Sequence, residues 1–218
     1  MEKMDYKKAF KDIYMPKTTP MILEIPRMKY IMVQGQGNPN IENGEYQKSI
    51  QILYGISYTI KMSKMGSHTI DGYFEYVVPP LEGLWWMEGM DGIDFAHKEN
   101  FRFISLIRLP DFVEEDSYLW ACEELLKKHP EIDLSHTSYE LFEEGLCAQI
   151  MHKGAYDSEP ETIKTLYDFI HEKGYIADYD SKSISGQLRK HHEIYLSDPR
   201  KTKPENLKTV IRLPIRRK

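Results

Sequence analysis

The sequence has little cysteine and no long apolar run. Its 218 residues include two cysteines, Cys122 and Cys147, which can form at most one disulfide. No apolar segment approaches the roughly 18 residues that a membrane-spanning helix needs, so we expect no membrane partner. The first residues are charged and lack the apolar core of a secretory signal. These absences argue against a disulfide-stapled secreted scaffold and predict a cytoplasmic protein.

The chain also has no excess of positive charge. Lys and Arg total 29 against 34 for Asp and Glu, which gives a net charge of −5. A nucleic-acid duplex would meet a mildly repulsive field, so no direct nucleic-acid partner is expected. The roughly 20 residues before the first predicted strand are too few for a helix-turn-helix domain. We therefore do not expect this chain alone to regulate transcription directly.

Spacings typical of metal, phosphate and activated-nucleophile sites are missing. There is no pair of histidines four residues apart on a helix and no Cys-x-x-Cys, and the cysteines lie 25 residues apart on different predicted elements. No Gly-x-Ser-x-Gly, P-loop or kinase motif is present. The short Gly35-Gln36-Gly37 does not open directly into a helix and is interpreted as a turn. We predict neither a metal site nor a cofactor.

Aromatic and thioether side chains, by contrast, are abundant. The chain has 15 Tyr, 8 Phe, 3 Trp and 11 Met. They can build a tyrosine-rich core and surface, or they can line a cavity for a flat organic ligand, because rings offer a large contact area at a low entropy cost. Composition does not decide between these interpretations.

Hydrophobic periodicity predicts a mixed α+β chain. Strands are predicted over residues 21–36, 73–78, 81–87, 101–109, 144–152, 191–196 and 208–215, and helices over 45–62, 114–128 and 158–173. Ser158 and Glu161 have the spacing of a capping box, and Gly174 is placed to end that helix in the left-handed conformation. Gly55 costs its helix about 1 kcal/mol relative to Ala, so we expect the sheet or a ligand to approach closely there.

The order strand, helix, strand, strand occurs twice. The first unit spans about 21–110, a connecting helix about 111–130, and the second unit about 140–216. The two units share order rather than sequence. We predict a single domain over 1–218 with an α+β fold, in which helices pack on an antiparallel sheet.

The strand at residues 191–196 contains the most informative acid. Side chains alternate across a strand, so His191, Glu193 and Tyr195 share one face, while His192 shares the other with two aliphatic residues. The aliphatic face must be core. If the polar face meets solvent, Glu193 is an ordinary surface acid. If it lines a cleft between the two units, Glu193 is partly desolvated and suited to act as a general base or as the counter-charge of a cationic ligand.

Two adjacent tryptophans also need explanation. Trp85 and Trp86 point to opposite faces of one predicted strand, so at most one belongs to the core by alternation. The other packs under a loop or at a subunit interface, or it forms a stacking wall for a planar ligand. Such a stack is worth about 0.5–1.5 kcal/mol beyond the buried area. Alternation does not indicate which ring faces a cleft.

Several segments spread over nearly the whole chain resemble a known family. They are residues 14–17 (YMPK), 35–39 (GQGNP), 53–61, 80–86 (PLEGLWW), 144–156 and, most specifically, 191–200 (HHEIYLSDPR). On these segments the chain resembles the GyrI-like small-molecule-binding proteins. That superfamily includes the effector-binding domains of multidrug-responsive MerR-type and AraC-type regulators. The chain is most similar to its stand-alone members.

The resemblance implies two strand-helix-strand-strand units related by pseudo-twofold symmetry. Between them it implies a central aromatic cleft with a glutamate, a position that Glu193 takes. The implied partner is a planar hydrophobic or cationic small molecule. Some stand-alone members hydrolyse the cyclopropane of DNA-alkylating natural products. In that reaction Glu193 would position or deprotonate water, Tyr195 would assist by a hydrogen bond, and Trp85 or Trp86 would stack on the substrate.

Further ligand-binding candidates fall within the matched segments. They are Tyr54, Tyr58, His152 and Tyr156. Three functions remain open: a non-catalytic protein that sequesters such compounds, a hydrolase, and a partner-binding protein of the topoisomerase-modulating type. The acidic run at residues 114–116 would suit a partner, but acids in the first turn of a helix are better explained by the helix dipole. We expect a monomer or a homodimer.

Overall fold

The regular structure follows the predicted α+β order. A computed structural model describes residues 3–66, 68–90, 93–94, 96–179, 181–182, 186 and 189–218. The helices are α1 (Tyr6–Ala9), α2 (Lys11–Tyr14), α3 (Glu45–Met62), α4 (Glu115–Lys128) and α5 (Glu159–Glu172). The strands are β1 (Met21–Gln36), β2 (Leu81–Met87), β3 (Phe101–Arg108), β4 (Thr137–Lys153), β5 (Tyr175–Ala177), β6 (His191–Tyr195) and β7 (Lys208–Arg217). Among these residues, no helix is long and apolar enough to cross a bilayer.

Six strands close into an antiparallel ring. Their order is β4-β1-β3-β2-β6-β7, and β7 pairs back with β4, while the short β5 adds to the end of β7. The two units, β1-α3-β2-β3 and β4-α5-β6-β7, meet where β1 pairs with β4 and where β2 pairs with β6. Equivalent strands of the two units thus pair with each other, as pseudo-twofold symmetry requires. The predicted fold class is confirmed.

The helices pack on the outer face of this ring. The apolar stripe of α3, with Leu53, Ile56 and Ile60 buried, faces β1 and β3, and α5 covers β4 and β7. Burying each such side chain contributes about 1.5–3 kcal/mol. A Cβ on Gly55 would lie 2.9 Å from Leu125 of α4. The close approach expected at Gly55 is therefore made by a second helix, not by the sheet or a ligand.

The N-terminal helices cover one end of the ring. Tyr6 and Tyr14 pack against Ile194 and Val210, which point into the ring. Toward the other end, Leu84, Leu106 and Phe142 form an apolar inner core. The inside of the ring is therefore filled by side chains. The outer face, which the helices cover, includes the junction where β2 of one unit pairs with β6 of the other.

Two local predictions were wrong. Residues 73–78 contain only an isolated bridge, Tyr76 to Met4, because their rings pack on one another and on Phe112 instead of pairing in the sheet. The capping box is absent: the Ser158 hydroxyl donates to the carbonyl of Ala155 at 2.7 Å, since residues 156–158 form a 3-10 turn before α5. By contrast, Gly174 has φ of 79°, which confirms the predicted left-handed end of α5.

Candidate functional site

The candidate site lies at the junction of the two units. β2 and β6 pair there, with Gly83 opposite Glu193 in the register. Tyr46, in the first turn of α3, reaches this junction from one side, and its ring lies 5.2 Å from that of Trp85. Glu159, in the first turn of α5, reaches it from the other side and acts electrostatically on Glu193. Both units therefore contribute side chains to one place.

Glu193 is held inward by hydrogen bonds. Glu193 is 6% exposed. The Tyr195 hydroxyl donates a hydrogen bond to its Oε2 at 2.8 Å. Nε2 of His191 lies 3.2 Å from its Oε1. Trp85 in turn donates from Nε1 to the Tyr195 hydroxyl oxygen at 2.8 Å. This donor chain ends on Glu193 and stabilises the carboxylate as a hydrogen-bond acceptor.

The Tyr195 hydroxyl remains protonated in this arrangement. Burial, and next the negative charge of Glu193, raise its pKa well above the ordinary value. Burial also raises the pKa of Tyr156 to about 12, with Glu159 and Glu193 adding to the effect. Both hydroxyls therefore keep their protons at neutral pH, and Tyr195 donates its proton to Glu193.

Aromatic rings pack around the two residues of the donor chain, Trp85 and Tyr195. The Trp85 ring lies within 5.2–5.8 Å of the rings of Tyr46, Phe101 and Phe103. Tyr156 packs edge-on against Tyr195, with centroids 6.0 Å apart. Because Glu193 is nearly buried, a ligand reaches it only when neighbouring side chains move.

Gly83 makes room for these contacts. A Cβ at this position would lie 2.6 Å from Nε1 of Trp85 and 3.2 Å from the Tyr195 hydroxyl. Glycine is thus needed where β2 passes beneath the donor chain.

Gly83→Ala is expected to displace Trp85 and to lower the free energy of unfolding by about 1–3 kcal/mol, because the added methyl overpacks the site. Urea unfolding followed by tryptophan fluorescence measures both effects. Gly66→Ala is the matched control, since the nearest atom to its Cβ would be 3.6 Å away. Equal stabilities for the two variants would contradict the role given to Gly83.

The structure does not bring all the predicted residues to Glu193. Of the two tryptophans, Trp85 shares the face of Gly83 and Glu193, while Trp86 points to the opposite face. Tyr54 lies on α3 near the charges of the loop after β6, including Asp198. Tyr58 stacks on Tyr54 with centroids 6.1 Å apart and is half exposed. It lines a groove of about 420 Å³ that also includes Trp120.

His152 supports the site instead of facing Glu193. It pairs with Thr209 across β4 and β7, and its Nδ1 lies 2.8 Å from the Thr162 hydroxyl. Its Nε2 lies 3.1 Å from the carbonyl of Ala155. Both ring nitrogens are therefore engaged in holding the turn that carries Tyr156 against α5.

Sequence reasoning missed four residues near Glu193. They are Tyr46, Gly83, Glu159 and Thr209. Glu159 occurs in the first turn of a helix, where acids are ordinary, so nothing in the sequence signals that it is buried. Tyr46 fits the apolar stripe of its helix equally well as a core residue.

A second buried polar cluster lies inside the ring. Nδ1 of His192 is 3.0 Å from Glu144 Oε2, and its Nε2 is 2.9 Å from Glu82 Oε2. Arg212 donates to Glu144 at 2.9 Å and to the side chain of Gln149 at 3.0 Å. The prediction that His192 lies on the core face of its strand is thus confirmed. In addition to aliphatic side chains, this face carries a network of charged residues that come from β2, β4, β6 and β7.

The charges of this network predict how stability depends on pH. Burial alone would raise the pKa of Glu144, but His192 and Arg212 lower it to about 2. Burial alone would lower the pKa of His192, but Glu144 and Glu82 raise it to about 9. Stabilisation by Glu144 is therefore lost as pH falls from about 4.5 to 2. Stabilisation by His192 is lost as pH rises from about 6.5 to 9.

The alkaline part of this dependence can be tested with His192→Gln. Urea unfolding across that window should show a smaller decline in the variant than in the wild type, because glutamine releases no proton. Identical alkaline slopes would contradict the protonated state assigned to His192.

The described residues offer no group of three or more His, Cys, Asp or Glu side chains placed to hold a metal ion. The junction holds the Glu193 carboxylate with its hydrogen-bond donors, a second acid in Glu159, and aromatic faces. Such a set can bind an apolar ligand with an electropositive centre, or it can accept a proton from water.

Comparison with known proteins identifies the family of this chain. The sequence matches the family model of the GyrI-like small molecule binding domain over residues 18–216. An uncharacterized conserved protein from Listeria innocua has a similar structure, with 46% identity and a TM-score of 0.88, covering 98% of this chain and 100% of that one. A hydrolase from Listeria innocua has 45% identity and a TM-score of 0.86, covering 99% and 100%.

A more distant structure shares the fold alone. The C-terminal domain of EcmrR is 13% identical, with a TM-score of 0.53, over 92% of this chain and 98% of that domain. No curated protein matches the chain.

Proposed function

Because the chain belongs to the GyrI-like small-molecule-binding family, we propose that it binds planar, largely apolar molecules that carry an electropositive centre. Glu193 supplies the counter-charge, and Trp85, Tyr156 and Tyr195 supply ring contacts. The observation that carries this proposal is the position of Glu193, an ionisable side chain at the junction of the units that is 6% exposed and accepts a hydrogen bond from Tyr195, which in turn accepts one from Trp85. A carboxylate in such surroundings attracts a cation more strongly than one in water.

The proposal predicts binding of a planar organic cation. We expect 10-methylacridinium to bind with a stoichiometry of one and to quench Trp85, because its flat ring would lie against the indole. Equilibrium fluorescence titration of the full chain measures both. The proposal would be contradicted if the dye did not bind, or if it bound without changing the tryptophan emission.

We further propose that the site adds water to strained electrophiles, such as a cyclopropane conjugated to a dienone. Support comes from two Listeria innocua structures described as hydrolases, which are 43% and 45% identical to this chain. Glu193 would accept a proton from water while the water oxygen bonds to a ring carbon and a cyclopropane C–C bond breaks. The released electron pair moves to the dienone oxygen, which takes up a proton and becomes a phenol.

Turnover separates a hydrolase from a sequestering protein. Incubation of a spirocyclopropyl dienone in ¹⁸O-labelled water should yield a labelled alcohol, detected by mass spectrometry. Glu193→Gln should reduce the rate by about 10²- to 10⁴-fold, the usual contribution of a general base. Binding of the dienone without label incorporation would overturn hydrolysis and favour the sequestering role.

A further inference from the structure

A second acid lies beside Glu193 and has no assigned task. We propose that Glu159 contacts the ligand and supplies a hydrogen-bond donor to a carbonyl-type oxygen, while Glu193 supplies the negative charge. The ligand class is then a planar molecule that combines an electropositive centre with a neutral oxygen acceptor. This inference rests on the proposed function, since it requires a ligand in the Glu193 site.

One oxygen of the buried Glu159 carboxyl group has no protein partner. The residue is 1% exposed, and its Oε1 has no hydrogen-bond partner among the described residues. Thr209 is equally buried, and its hydroxyl interacts with the Glu159 carboxyl group. Thr209 lies opposite Tyr195 in the register of β7 and β6. Oε1 of Glu159 is therefore an unsatisfied buried atom at the border of the site, whereas buried polar groups are normally hydrogen-bonded.

The surroundings favour a protonated Glu159. When two carboxyl groups share a site, one of them keeps a proton. Glu193 receives the donors Tyr195 and His191, whereas Glu159 receives no donor at Oε1. Burial, and next the charge of Glu193, raise the pKa of Glu159 to about 10, although the Thr209 hydroxyl opposes this.

Titratable groups from several neighbouring elements lie near Glu159. Glu193 and Tyr195 face Glu159 from β6, and Asp157 and Tyr156 belong to the preceding turn. His152 on β4 contacts Ser158, the residue before Glu159. Asp157 adds a further negative charge, so it also favours the neutral acid.

A neutral acid beside an ionised one gives the site two distinct contacts. In a conjugated electrophile, the Glu159 proton would pass to the dienone oxygen as the cyclopropane C–C bond breaks, and Glu193 would take the proton of the attacking water. Proton transfer from Glu193 to Glu159 then restores both groups. Substrate and water become product, with no other reactant consumed.

Two matched dyes separate the roles of the two acids. 10-Methylacridone is neutral and carries a carbonyl acceptor, whereas 10-methylacridinium is cationic and has none. We expect Glu159→Leu to weaken acridone binding by about 5- to 10-fold, because the donor is lost. Glu159→Gln keeps an N–H donor and should bind acridone within about twofold of the wild type. Both variants should bind acridinium as the wild type does.

Opposite results overturn the inference in distinguishable ways. Acridone binding that Glu159→Leu leaves unchanged removes the donor role. Acridinium binding that Glu159→Gln weakens indicates an ionised Glu159. In either case, acridinium binding that still depends on Glu193 leaves the proposed function standing. Failure of the wild type to bind either dye overturns the proposed function and this inference together.

The protonation of Glu159 also has a readout that needs no ligand. The folded chain keeps a proton that the unfolded chain releases above its ordinary pKa, so wild-type stability falls between about pH 4.5 and 10. Glutamine has no such dependence. The melting temperature of Glu159→Gln minus that of the wild type should therefore rise with pH across this window. A constant difference would overturn the neutral state.

Discussion

Arg212→Met is expected to lower the free energy of unfolding by about 3–5 kcal/mol, a large part of the total stability of an ordinary domain. Arg212 is fully buried and pairs with Glu144 at 2.9 Å inside the ring. Methionine fills a similar space but leaves a buried carboxylate with His192 as its remaining charged partner. Chemical denaturation of both proteins at neutral pH measures the loss.

A second arginine of β7 provides the control. Arg216 is exposed and lies 3.6 Å from Asp178. Because the Arg216 side chain is 56% exposed and Asp178 keeps its buried partner Arg189 at 2.9 Å, Arg216→Met should lose only about 0–1 kcal/mol. If the two variants were equally stable, the ring interior would not depend on its charged network, and the pH dependence derived from it would also fail.

Glu193→Gln is expected to weaken binding of 10-methylacridinium by about 10- to 100-fold, because the site loses its charge and a charge-assisted contact. Glutamine keeps the shape of the side chain, so the rings and the neutral 10-methylacridone should be little affected. Isothermal titration of both dyes measures the difference.

Glu161→Gln is the matched control for this change. Glu161 is an exposed acid on α5, so its replacement removes the same charge from the protein without touching the site. It should leave acridinium affinity within about twofold, since exposed charges are screened by water and salt. Equal losses in both variants would show that net charge, not the Glu193 contact, attracts the dye.

The sequence specified the long elements well because their patterns are local. The residue bounds of β1 and α3 match their predictions, since a turn rich in Gly and Asn separates them in the sequence. Alternation placed His191, Glu193 and Tyr195 on one face, and the structure joins them by hydrogen bonds. These results depend only on neighbours along the chain.

Contacts between distant strands could not be predicted in the same way. His192 meets Glu82, Glu144 and Arg212 only because the ring closes through β2, β4, β6 and β7. The same closure brings Glu159 to the site. In the sequence, Glu159 looks like any acidic residue in the first turn of a helix. Periodicity carries no information on which distant charges will meet, so both clusters required the structure.

A crystal structure of the chain with bound 10-methylacridinium tests the central claim most directly. The account predicts the dye at the β2–β6 junction, its ring against Trp85, its positive centre beside the Glu193 carboxylate, and Tyr156 displaced from its present contact with Tyr195. A dye bound instead in the groove between Tyr58 and Trp120, with Glu193 still covered, would contradict it.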